Sequence, residues 1–147
     1  MSNIKDELWE KWFLDYNIEI KPKYFIHGIL DDLNGLRVYL CDFYGDSSIT
    51  ILFSGFVYSY RYNEEQAILR TLSEVSAKFG RDFLSTWTFF VVHNSRYAEQ
   101  IDFTSQGIYS AKDLIHFNIV DGDGVLEVIT DAYPQIVDGW SQQKVIL

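Results

Sequence analysis

The apolar run WTFFVV ends in His93, Asn94 and Arg96, a base, an amide and a cation within four positions. Side chains of these types at a strand end could bind and polarise a substrate, because scaffolds build sites where their strands stop. They suit a plainer role equally well, with Asn94 or Ser95 capping a helix and Arg96 in its solvated first turn, and that role is the expected one. The three histidines, His27, His93 and His116, each lack a His or Cys neighbour at ligand spacing. Zinc and iron sites usually announce themselves by such local pairs. His116 alternates with Ile115 and Phe117 and is expected at the sheet surface or half buried. Asp121 to Gly124 reads DGDG, which brings calcium loops to mind, but strand patterning resumes where further oxygen ligands would be needed. Cys41 could pair with a histidine as a nucleophile, yet it sits among alternating apolar residues and reads as a small core or interface residue. LFSGF lacks a nucleophile elbow, and no glycine-rich phosphate loop is present. The expectation is therefore no catalytic residue, no metal ligand and no cofactor.

The elements around these residues follow from periodicity. In DELWEKWFLDY, Leu8, Trp9, Trp12, Phe13 and Tyr16 have helical spacing, which predicts an amphipathic helix over residues 5 to 16. LRVYLCDF and ITILF alternate with period two, joined by a turn at Gly45 and Asp46, and FVYSYRY follows a second hairpin at Ser54 and Gly55. Three antiparallel strands in meander order are expected. NEEQAILRTLSEVSAKFG is a clear helix with a stripe of Ile68, Leu72, Val75 and Phe79, Asn63 as N-cap, Gln66 in the capping-box position and Gly80 as its stop. TWTFFVV reads as a central strand, SRYAEQIDF as a short helix closed by Gly107, and LIHFNIV and VLEVIT as a hairpin about DGDG. The tail from Pro134 has no clear state. The predicted class is α+β, one domain over residues 1 to 147, with an antiparallel sheet of about five or six strands and two or three helices mainly on one face.

The totals narrow the function further. A chain of 147 residues with 48% hydrophobic and 17% aromatic content can bury a core without staples. One cysteine, no leader pattern and no apolar run of about 20 residues point to a cytoplasmic protein outside the membrane. The net charge of −9, with 12 scattered basic residues, argues against nucleic acid; it suits either a basic protein partner or simply the solubility of an aromatic-rich chain.

DDLNGLRVYLCD, ILFSGFVYSYRY, ILRTLSEVSAKFG, STWTFFVVHNSRY and LIHFNIVDGDGVLEVITDAYPQIV together resemble a family of small bacterial immunity proteins encoded beside polymorphic or contact-dependent toxins. The likeness spans about Asp31 to Val137 and is strongest at the WTFF strand and the Asn-Ser-x-Tyr helix start. It implies an antitoxin that neutralises a cognate toxin C-terminal domain, basic and in some cases a nuclease, by protein contact. That family has no defining catalytic motif, so it carries no active-site residues over to this chain. The residues expected to bind are the acidic turns and nearby tyrosines: Asp42, Tyr44 and Asp46, then Tyr58, Tyr60 and Tyr62 on one strand face, then Asp121 and Asp123. A plainer assignment has the tyrosines packing under a helix and the aspartates serving the turns. The alternative function is a cytoplasmic binding or assembly module for another protein or a small ligand, homodimeric through an exposed strand edge.

Overall fold

Successive strand side chains point to opposite faces, so period-two segments become strands with one buried side. The computed structural model describes residues 7–140. In chain order these form β1 (Leu8–Lys11), β2 (Tyr24–Asp32), β3 (Gly35–Asp42), β4 (Ser48–Phe53), β5 (Val57–Glu64), a 3-10 turn (Glu65–Ile68), α1 (Leu69–Phe79), β6 (Phe89–His93), α2 (Arg96–Thr104), a second 3-10 turn (Ala111–Asp113), β7 (Ile115–Val120), β8 (Gly124–Thr130) and β9 (Gln135–Asp138). The strands pair antiparallel in two sheets, β1-β6-β7-β8-β5 and β2-β3-β4-β9.

The sheets face one another across the main core. Leu36, Val38 and Leu40 of β3 and Ile49, Ile51 and Phe53 of β4 meet Phe89, Phe117, Ile119, Leu126 and Val128 of the larger sheet there. The opposite face of that larger sheet presents Phe90, Val92, Val120 and Val125, and Ile68, Leu72, Val75 and Phe79 pack on it as the expected stripe. Tyr97 and Ala98 of α2 cover Ile129 on the same side. The WTFF strand is thus apolar on both faces because one face meets the second sheet and the other meets α1.

The antiparallel α+β class holds in outline, but its details are corrected. Among the described residues, nine strands in two sheets replace one sheet of five or six, and one main helix plus a short one cover a single face. The predicted meander fails at Ser54 and Gly55, where the chain crosses between sheets, so β5 pairs with β8 and not with β4. Close packing at the crossing demands glycine: a Cβ on Gly55 would stand 2.6 Å from Asp131 Oδ1, the same oxygen that accepts the Phe56 N–H at 3.0 Å.

The predicted helix over residues 5 to 16 is instead strand β1 followed by a loop; residues 5 and 6 lie outside the described residues. Trp9 packs in the helix-side cluster and Trp12 in the inter-sheet cluster, opposite layers that one face of a single helix could not reach. Asn63 belongs to β5, and the capping carboxylate is that of Glu64, which accepts from the Gln66 N–H. Gly80, with φ 116°, does end α1. Within the tail, Gln135–Asp138 form β9, paired with β4; residues 141–147 lie outside the described residues.

Candidate functional site

Two hairpin turns meet at one end of the sandwich. In the β3–β4 turn the Asp42 carboxylate accepts the Ser47 N–H at 2.8 Å. In the β7–β8 turn Asp121 Oδ1 accepts the N–H groups of Asp123 and Gly124, each at 2.9 Å, while Gly122 takes φ 92°, a conformation open to glycine. Phe25 at the start of β2 joins the turns: its ring lies 5.9 Å from that of Phe43 and abuts Gly122. Asp121 Oδ2 accepts the neighbouring Ile26 N–H at 3.3 Å, tying the two sheets together. Tyr62 comes alongside, its phenol pushed up to about 12 by burial and then by the charges of Asp121 and Asp123.

Six of the predicted residues, Asp42, Tyr44, Asp46, Tyr62, Asp121 and Asp123, therefore gather at this end, in two kinds. Asp42 and Asp121 are buried and build the turns. Asp46, Asp123, Tyr44 and Tyr62 face solvent. Sequence reasoning missed Phe25 and Phe43, and also Glu64 and Glu65, which stand beside the β7–β8 turn, where the Glu65 N–H donates to Asp123 O at 2.9 Å. Among the described residues Asp46, Asp123, Glu64 and Glu65 form no ion pair.

The nearby cations are already engaged. Lys21 pairs with Glu19 at 2.9 Å. Lys23 Nζ donates to the carbonyls of Val120, Leu84 and Trp87 at 2.9, 3.2 and 3.2 Å. Burial, opposed only in part by Asp121, lowers the Lys23 ammonium to about 8. Between that value and the 10.5 of an unburied lysine, the unfolded chain binds a proton that the folded chain does not, so stability rises with pH across this window. Thermal unfolding from pH 8 to 10 should show the wild type gaining on Lys23→Met. A constant difference would mean that the three carbonyls hold the proton on and cancel the effect of burial.

Tyr58 and Tyr60 lie toward the other end. Irregular pairing between Val57 and Ser59 breaks the alternation, so the three tyrosines do not share one face. Tyr60 and Tyr62 stand opposite Val128 and Leu126 of the inter-sheet core, whereas Tyr58 packs against the Tyr97 cluster with its ring 4.6 Å from Tyr109. The Tyr60 hydroxyl donates to Asp31 at 3.1 Å, bridging the two sheets.

His93 and Arg96 go to separate partners: His93 Nε2 is 3.1 Å from Glu10 Oε2, and Arg96 Nε is 4.0 Å from Glu7 Oε2. Asn94, at φ 54°, turns the chain out of β6, and Ser95 caps α2 by accepting from the Ala98 N–H. His116 is not at the surface: it is buried under α2 because its face of β7 is the helix-covered one. Ser95 Oγ lies 2.6 Å from His116 Nδ1, and His116 Nε2 is 3.2 Å from Glu127 Oε1, close but off the line of a hydrogen bond. Ser95 Oγ also accepts the Ala98 N–H, so one hydroxyl both caps α2 and meets the His116 ring. Burial alone would raise the Glu127 carboxyl, yet His116 and Arg61 outweigh it and hold the group below its ordinary value. Among the described residues no cluster of three His, Cys, Asp or Glu could hold a metal ion.

Comparison of the chain with family models, with curated proteins and with solved structures gives no match in any of the three.

Proposed function

We propose that this chain is an immunity protein that neutralises a basic toxin domain by seating it on the paired turns. The supporting observation is the company kept by Phe43 and Tyr44, 69% and 80% exposed, next to carboxylates that form no ion pair among the described residues, in a chain of net charge −9. Aromatic anchors of this size supply the contact area of binding hot spots, and unpaired carboxylates around them draw in lysines and arginines. The turns are held by buried Asp42 and Asp121, so little ordering is left to offset the contacts.

The test is co-expression with the polypeptide encoded immediately upstream. The expected result is growth arrest by the neighbour alone, rescue by this chain and a complex that co-purifies. No toxicity and no complex would overturn the reading. With a complex in hand, Asp46→Asn combined with Asp123→Asn should slow association several-fold at low salt and flatten its salt dependence. An unchanged rate would remove those two residues from the interface.

One observation favours the second reading, a module that pairs with another copy of itself. β2 is a nine-residue edge strand with Phe25, Ile29 and Leu30 each 37% exposed, and sedimentation as a dimer without any partner would support that use of it.

A further inference from the structure

Between the start of α1 and the exposed side of α2 lies a groove of about 500 Å³, floored by the larger sheet. That size suits a small ligand. Ile68, Trp9 and Phe103 supply apolar wall, and Arg61 and Arg96 line the same groove.

Arg61 is held on two sides. Its Nε donates to Glu127 Oε2 at 2.6 Å, and its guanidinium carbon sits 3.9 Å over the Tyr97 ring. Its two terminal nitrogens have no partner among the described residues. Behind Glu127 stand His116 and Ser95, both buried. A buried charged chain of this kind stabilises a fold poorly, because desolvation offsets attraction, but it fixes the orientation of the group at its end. The group so fixed is a planar fork of donors open to the groove, which matches a carboxylate in two-point contact.

We propose that the groove binds a small organic carboxylate, with its oxygens on the terminal nitrogens of Arg61 and on Arg96 and its apolar body against Ile68, Trp9 and Phe103. A single negative charge is the match, since Glu7 and Glu127 line the same groove and repel a multiply charged anion. The site is on the helix-covered side, and it stands or falls independently of the immunity reading.

Nuclear magnetic resonance titration of the full chain with benzoate tests it, with benzamide and inorganic phosphate as controls. The expected result is saturable shifts of the Trp9 indole and Arg61 Nε resonances with a Kd of about 1 mM, and weaker effects from both controls. Arg61→Lys keeps the charge but loses the fork, and should weaken benzoate about tenfold. If that variant loses its fold along with the Tyr97 contact, Arg96→Gln, at a half-exposed position, carries the comparison instead. Absence of saturation, binding indifferent to both substitutions, or phosphate binding as tight as benzoate would each overturn the proposal.

Discussion

Phe117→Ala is expected to cost about 4 kcal/mol of folding stability, from the lost transfer energy of a buried ring and the cavity it leaves. The side chain is fully buried, with ring centroids of Trp12, Tyr133 and Phe53 at 4.7, 5.1 and 5.9 Å. These neighbours come from the loop after β1, the β8–β9 connection and β4, so collapse around the gap would need three separate segments to move together. A loss of that size is a large part of the roughly 5 to 15 kcal/mol that a domain has. Urea denaturation should show a lower midpoint with an unchanged slope, and Phe117→Leu should lose under about 1.5 kcal/mol. A loss below about 1 kcal/mol for alanine would contradict the packing described.

Asp121→Ala is expected to cost about 3 kcal/mol although it removes only a small side chain. One carboxylate accepts from Asp123, Gly124 and Ile26, and its removal leaves the buried Gly124 donor and the part-buried donors of Asp123 and Ile26 without their partner. The neighbouring Asp123 side chain faces solvent, and Asp123→Ala should change stability by less than about 0.5 kcal/mol. The contrast separates the two roles that adjacent aspartates in DGDG play. Equal effects would show that none of the three hydrogen bonds to Asp121 contributes to stability. The same contrast explains why association rates are better probed at Asp46 and Asp123: losing Asp121 would disturb the surface it supports.

The pattern in the chain shows which strand faces meet an apolar core. β3 and β4 carry period two because Leu36, Val38 and Leu40 and then Ile49, Ile51 and Phe53 meet the core, although Arg37, Thr50 and Leu52 on the other face are buried as well; WTFFVV is solidly apolar because β6 packs both faces, and DGDG carries the chemistry of its own turn. The first strand was illegible because Trp9 and Trp12, three apart, mimic a helical stripe while serving opposite layers. β2 shows no alternation to find, since its register shifts between Ile26 and Gly28 and its outer edge is free. The crossing at Ser54 and Gly55 looks like a hairpin turn locally, and only Asp131, 75 residues from Phe56, reveals that it is not. At the candidate site the acidic turns were readable from composition. Phe25 was not, because its place beside Phe43 and Gly122 depends on how the sheets meet. The buried chain from Ser95 to Arg61 joins three strands and a helix start, and no local spacing carries it.

The pairing of the first and last described strands bears on how the molecule is assembled during synthesis. β1 finds its neighbour only when the ribosome has made β6, where Leu8 meets His93, and β4 keeps one edge bare until β9 brings Asp138 to Ile49. Until β9 is made, the smaller sheet can hold only three strands and leaves the β4 edge unpaired, and an unpaired strand edge is a template for joining another chain. Closure waits on a four-residue strand, so shortening the chain ahead of β9 is expected to leave the β4 edge bare and to raise the fraction sedimenting as aggregate relative to the full chain.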